Sequence, residues 1–368
     1  MTQDQLAQLH WMVLASTGLV SALLGAIMHR THFCTMGAVS DAVIMGSNDR
    51  LRQWALALAV ATLGFGGLTL AGLITPLQSV YAVPRIYWLS SITGGLLFGW
   101  GMVLASGCGA KSLVRLGGGN LKSFVVLMAM GLSALMTLKG ILAYPRVHGL
   151  ETIFWEPAQG VFLSQWLSHF IGVELNHAVF MASVVSFALL CAWVLKDRSF
   201  SSLSNVFAGV SVGAVIVCVW FISGVIGHVL EHPETLEEFY VATLSRKMES
   251  LSLTAPVALG LDALLYFTDG TKRFTLGMAS VLGILSGAWL SSVVAGSFKV
   301  ESFQNAKDFM RHLFGGCMMG SGAVLAIGCS IGQGLSGMST LSLSSFLATA
   351  AMLLGAYLAL QRELHRAS

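Results

Sequence analysis

The sequence predicts an all-α polytopic membrane protein with about nine transmembrane helices and four short half-membrane helices, arranged as an inverted-topology repeat. Three observations predict it. First, 55% of the 368 residues are hydrophobic and only 10% are charged, whereas charged residues make up about 25% of a typical soluble domain. Second, several apolar runs approach the roughly 20 residues needed to cross the hydrocarbon core of a bilayer. Third, residues 94–108 (GGLLFGWGMVLASGC) return as residues 315–329 (GGCMMGSGAVLAIGC), with nine of fifteen positions identical at an offset of 221. Each copy is an apolar helix with glycines at close spacing that ends abruptly in Gly-Cys.

In chain order, spans are expected at about 11–28, 54–76, 86–105, 121–143, 176–195, 206–226, 274–296, 310–327 and 342–361. The first has no Lys or Arg before it, unlike a cleavable signal peptide with its basic leading region. The 41 glycines suit helices that approach closely through small residues. Four segments between spans are too apolar or too glycine-rich for ordinary loops and too short to cross: 32–45, 107–116, 251–267 and 328–338. They read as half-membrane or re-entrant helices, which are tolerated only where buried in protein or lining a cavity. The acidic stretch 228–249 is expected at or above the surface, and the aromatic-bearing stretch 152–173 at the interface. With the N-terminus outside, 13 of the 20 Lys and Arg fall on inside segments and 7, including Lys272, on outside ones; Arg198 is among the 13. The positive-inside rule then places the N-terminus in the periplasm and the C-terminus in the cytoplasm.

The repeat continues beyond the opening pair. The first and sixth spans share Gly25/Gly213, Ala26/Ala214 and Phe33/Phe221, and the fourth and ninth share Ser123/Ser345, Phe124/Phe346, Ala129/Ala351, Met130/Met352 and Ala134/Ala356. Residues 1–150 form the first repeat, 151–200 a linker with the fifth span, and 201–368 the second repeat. An odd shift of five spans gives the halves opposite topology. Inverted repeats with interrupted helices are characteristic of transport proteins, and corresponding breaks point to the substrate site.

Those breaks carry Cys108 and Cys329, and the half-helix after the first span carries Cys34; Cys191, Cys218 and Cys317 lie inside spans and read as packing. A thiol in apolar surroundings is a neutral S–H, a weak donor with a polarizable acceptor sulfur. Such a group suits brief hydrogen bonding to a soft sulfur-bearing anion that a thiolate would repel. Helix N-termini at the breaks add partial positive charge. No run of carboxylates marks a cation path, and Asp41 and Asp262 read as paired acids or proton carriers. Lys111 and Arg115 share a helix face and read as inside-positive anchors or as an anion exit. Gly107, Gly109, Gly328, Ser330 and Gln333 flank the corners and complete the candidate path. His29, His32 and His312 read as interfacial. No metal or cofactor motif occurs, and no basic block suits nucleic acid. A membrane thiol oxidoreductase or sulfurtransferase, using Cys108 beside Lys111, is the enzymatic alternative; the lack of a CxxC pair disfavours it. A structural membrane subunit with packing cysteines is the third.

The segments HRTHFCTMGA (29–38), LASGCGAKSLVRLGGGNLKSFVV (104–126), ESLSLTAPVALGLDALL (249–265) and LAIGCSIGQGLSG (325–337), in order along the chain, resemble the YeeE/YedE family of bacterial inner-membrane proteins. The resemblance implies thiosulfate uptake, with the ion handed along a central path by S–H hydrogen bonds from three cysteines. The matching positions here are Cys34, Cys108 and Cys329. It also implies, for some members, a selenium-linked or other sulfur substrate and a small cytoplasmic sulfurtransferase partner of the TusA type.

Overall fold

The computed structural model describes residues 2–197, 200, 202–231, 237–268 and 273–367. Arg198, Lys272 and residues 232–236 of the acidic stretch lie outside the described residues. The chain runs through α1 (Gln3–Thr31), α2 (Thr35–Ser40), α3 (Asp49–Leu70), α4 (Trp88–Leu104), α5 (Gly109–Gly117), α6 (Leu121–Leu138), α7 (Ala143–His148), α8 (Leu163–Ile171), α9 (Leu175–Leu195) and α10 (Leu203–Phe221). A two-stranded antiparallel pair follows, β1 (His228–Val229) and β2 (Phe239–Tyr240), then α11 (Thr254–Leu265), α12 (Leu276–Val294), α13 (Ala306–Leu325) and α14 (Leu343–Ala367).

Among the described residues, eight helical stretches are long and apolar enough to cross a membrane, those of α1, α3, α4–α5, α6, α9, α10, α12 and α14. The span expected at 310–327 differs. It begins inside α13, whose opening turns carry Lys307, Asp308, Arg311 and His312. Those charges anchor one end of α13 at an interface: Lys122 Nζ lies 2.7 Å from Asp308 and Arg311 lies 3.0 Å from Glu363. Its apolar part is therefore shorter than a full crossing. The four segments expected as half-membrane helices hold α2 with its π-helical extension (Asp41–Met45), α5, α11 and a π-helical turn, Gly332–Gly337.

Glycine contacts fix how the long helices pair. Gly18 meets Ala279, and a Cβ on Gly287 would stand 1.8 Å from the Ala22 carbonyl, so α1 and α12 run parallel in backbone contact. Gly209 and Gly213 lay α10 along α3 against Gln53 and Ala57; Gly95 and Gly99 lay α4 along α14 against Ala348 and Met352; Gly316 and Gly320 lay α13 along α6 against Val126 and Met130. At the centre α4 and α13 cross antiparallel, Gly94 on Gly322 and Gly101 on Gly315. Without side chains at these points, backbone dispersion contacts and exclusion of lipid hold the helices together.

One face of the molecule gathers the N-terminal part of α1 and the connections after α3, α6 and α10. His10 contacts Phe274, Val80 N–H donates to Met248 O, Ile86 bridges Trp155 and Phe162 bridges Ser342. The opposite face gathers the C-terminus and the starts of α3, α6 and α13, tied by Arg52–Asp197 at 2.6 Å and the Asn120–Glu301 bridge. The acidic stretch does not stay above the surface throughout. Its end is drawn into the protein, where Met248 is fully buried and Ser250 nearly so.

Candidate functional site

The two Gly-Cys corners have the same backbone geometry. At the end of α4, Gly107 N–H reaches Met102 O (2.9 Å), Ser106 N–H reaches Val103 O (3.2 Å) and Ser106 is left-handed at φ 57°. At the end of α13, Gly328 N–H reaches Ala323 O (2.8 Å), Ile327 N–H reaches Val324 O (3.1 Å) and Ile327 sits at φ 56°. Each helix is thus closed by a left-handed C-terminal motif and the chain turns at once into a cysteine. A third corner follows α1, where His32 is left-handed at φ 54° and Cys34 is extended.

All three cysteines are buried and free. Cys34 caps the N-terminus of α2, and its Sγ accepts the Gly37 N–H at 3.4 Å. Cys108 is the N-cap residue of α5, with the Lys111 amide facing its sulfur. Cys329 Sγ accepts the Gly332 N–H at 3.4 Å, at the start of the π-helical turn. Each thiol therefore stands where backbone N–H groups converge, a setting of partial positive charge without a full ion. The thiols are also linked in space. The Cys34 and Cys108 side chains face each other, and the Ser330 hydroxyl next to Cys329 faces Cys108. This set of soft groups can hydrogen-bond a desolvated anion in succession. Cys191, Cys218 and Cys317 lie on α9, α10 and α13, away from the corners.

The other sequence candidates divide between lining and support. Gln333 is fully committed to support: its Nε2 donates to Ala326 O and Ile327 O, both at 2.9 Å, and its Oε1 accepts the Ser345 hydroxyl at 2.6 Å. It clamps the corner that carries Cys329, and Gly328 lets its side chain pass, since a Cβ there would meet Gln333 Cγ at 2.9 Å. Gly109 packs on Met130 of α6, and Gly107 leaves room for the Lys111 stem, 3.2 Å from where a Cβ would be. Arg115 Nη1 donates to Ser106 O at 2.8 Å, tying α5 to the corner before it.

Lys111 lies within electrostatic reach of Cys34 and Cys108, with Arg50 and Arg115 beyond it. His29 and His32 also face Lys111. Arg50 runs along α2, its Nη1 2.8 Å from a Cβ placed on Gly37, and pairs with Asp41 at 3.2 Å. Asp262 pairs with Lys139 at 3.0 Å. On their C-terminal side the thiols are thus flanked by a cluster of basic side chains, the basic vestibule, of which sequence reasoning singled out only Lys111 and Arg115. Arg50 counted there for topology alone.

Toward the other face, Tyr81 is buried and its hydroxyl donates to Gly332 O, on the same residue whose N–H meets Cys329. Burial pushes the Tyr81 phenol far up, so it stays a neutral donor. Nothing near Tyr81 in sequence marks it, because its partner is 251 residues away.

A family model described as Sulphur transport matches residues 30–358. Among curated proteins, the chain is 27% identical over 359 residues to the "Thiosulfate transporter TsuA" of Escherichia coli (strain K12), covering 93% of each chain. It is 26% identical over 350 residues to the "Thiosulfate transporter TsuA" of Spirochaeta thermophila, covering 92% of this chain and 95% of the relative.

Proposed function

The chain belongs to the sulphur transport family, the YeeE/YedE family its motifs resemble, and on that premise we propose that it carries thiosulfate across the bacterial inner membrane into the cytoplasm. It works as a transporter and not as an enzyme. The relatives matched over nearly their whole length are named thiosulfate transporters, which supports the cargo. One observation carries the mechanism: Cys34 faces Cys108, Cys108 faces the Ser330 hydroxyl beside Cys329, and all of these residues are buried. The ion passes along Cys329, Cys108 and Cys34 in that order, each S–H donating briefly to it, and leaves past Lys111, Arg115 and Arg50.

The inverted repeat, 1–150 against 201–368 across a linker at 151–200, is part of the same proposal. It is supported by the matching corners and by paired helices that correspond between halves, α1–α12 with α10–α3 and α4–α14 with α13–α6. Cys34 has no cysteine twin, so the path is near-symmetric with one extra thiol on the vestibule side. The orientation follows the Lys and Arg bias, with the N-terminus periplasmic and the C-terminus cytoplasmic. A small TusA-like cytoplasmic sulfurtransferase would take the ion at the basic face. The alternative cargo is another sulfur or selenium anion.

Uptake of labelled thiosulfate into proteoliposomes tests this. Cys34→Ala, Cys108→Ala or Cys329→Ala should each reduce uptake more than about tenfold, at least about 1.4 kcal/mol of barrier, with the protein still folded and inserted. Ordinary uptake by all three variants would overturn the thiol path. Competition with selenium and other sulfur anions separates the cargoes.

A further inference from the structure

The three thiols receive the same kind of bond and differ in what holds its donor. Each sulfur faces the backbone N–H three residues further on: Gly37 for Cys34 and Gly332 for Cys329, both at 3.4 Å, and Lys111 for Cys108. Gly37 and Lys111 lie in the first turn of regular α-helices, α2 and α5. After Cys329 the chain is different. One helix-like bond forms, Gln333 N–H to Cys329 O at 2.7 Å, and the backbone then widens into the π-helical turn Gly332–Gly337. Gly332, the first residue of that turn, has no side chain of its own to pin it.

Its support comes from outside the segment. Tyr81, in the connection after α3, donates its hydroxyl to Gly332 O. Ser252 lies against the same residue, 3.0 Å from where a Cβ would stand. Tyr81 is itself held on a stack of buried rings. It meets Trp220 of α10 edge-on at 6.2 Å, and Trp220 meets Phe65 of α3 edge-on at 5.1 Å. The Trp220 indole N–H donates to Ser339 Oγ at 3.2 Å, just past the π-helical turn. The loop that carries Tyr81 is stitched by Val80 N–H to Met248 O (2.9 Å) and Ala82 N–H to Ser79 O (3.0 Å). The hydroxyl is thus delivered from a fixed ring to a backbone position that its own turn leaves loosely defined.

We propose that Tyr81 is a positioning residue for Cys329: its hydroxyl holds Gly332 in place, and the Gly332 amide in turn orients the Cys329 thiol toward the passing ion. The amide engages a lone pair on the sulfur and leaves the thiol's own proton free to donate. Without the phenol hydroxyl, the buried Gly332 carbonyl loses a donor and the amide beside the sulfur loses its anchor. The proposal rests on the thiol path of the proposed function and adds to it a residue that acts through Cys329.

The test is labelled thiosulfate uptake into proteoliposomes as a function of thiosulfate concentration. Cys329 is the first thiol in the proposed order, so Tyr81→Phe should act on capture. It should raise the half-saturating concentration about fivefold, roughly the factor that one typical hydrogen bond is worth, and move the maximal rate less. In a Cys329→Ala background the same substitution should change the half-saturating concentration less than about twofold, because an effect that runs through the thiol disappears with it. A merely structural role would act equally in both backgrounds. Thermal unfolding in detergent checks that the variants are folded. Should Tyr81→Phe fail to fold, 3-fluorotyrosine placed at position 81, a stronger donor of nearly the same shape, should lower the half-saturating concentration with Cys329 present and leave it unchanged with Cys329→Ala. A folded Tyr81→Phe protein with the wild-type half-saturating concentration, or an equal effect of either change at position 81 in the two backgrounds, overturns the proposal. Ordinary uptake by all three single cysteine variants would instead overturn the thiol path itself, which keeps the two failures apart.

Discussion

Lys111 stands three residues after Cys108, within electrostatic reach of two thiols, and makes no ion pair among the described residues. A cation placed this way raises the affinity of a passing anion for the exit side of the path without offering it a permanent partner. Removing the charge should therefore slow departure from the thiols more than arrival at them. Lys111→Gln is expected to lower the maximal uptake rate about tenfold, about 1.4 kcal/mol of barrier, with little change in the half-saturating concentration on the entry side. Lys111→Arg should keep most of the rate. Uptake rate against thiosulfate concentration reads both quantities, and a Gln variant with the wild-type maximal rate would remove Lys111 from the path. Arg115 is a poorer test of the same idea, because its bond to Ser106 O makes it part of the corner.

At the level of elements, the glycines divide into contact points and free positions. Gly287 packs α12 on α1, where a Cβ would overlap the Ala22 carbonyl; Gly260 of α11 has nothing within 4 Å of a Cβ. Overpacking a closed helix contact costs about 1–3 kcal/mol, whereas Gly to Ala in an open helix interior gains about 1 kcal/mol. Gly287→Ala should lower the unfolding temperature in detergent and Gly260→Ala should raise it; equal shifts would mean that the helix contact is not a determinant of stability. The same division explains what could be read in the sequence. The corners were legible because their Gly-Cys ends repeat at 221 residues and the left-handed closure is built from local bonds. The short helices were legible because apolar runs of that length cannot cross. Tyr81, Gln333 as a clamp and Arg50 were not, since their roles arise from contacts between distant segments that leave no local pattern. The start of α13 was misplaced because its charged turns stand ahead of the apolar run that marked the span.

Over the whole molecule, charge is distributed along the same axis as the thiols. Arg30, Arg50, Lys111 and Arg115 cluster on the side of Cys34 and Cys108. An anion moving in the proposed order, from Cys329 to Cys34, meets this positive charge last, so the field along the path draws it toward the C-terminal face. The positive-inside rule, which counts these same side chains, assigns that face to the cytoplasm, so import and orientation stand or fall together in the proposed reading. Fusions at the C-terminus test the shared premise. A green fluorescent protein joined after Ser368 should fluoresce, and alkaline phosphatase joined there should be inactive, because one folds in the cytoplasm and the other needs the periplasm for its disulfides. The reverse pattern would place the basic vestibule outside. The same charge gradient would then favour export, with the thiol contacts still running from Cys329 to Cys34.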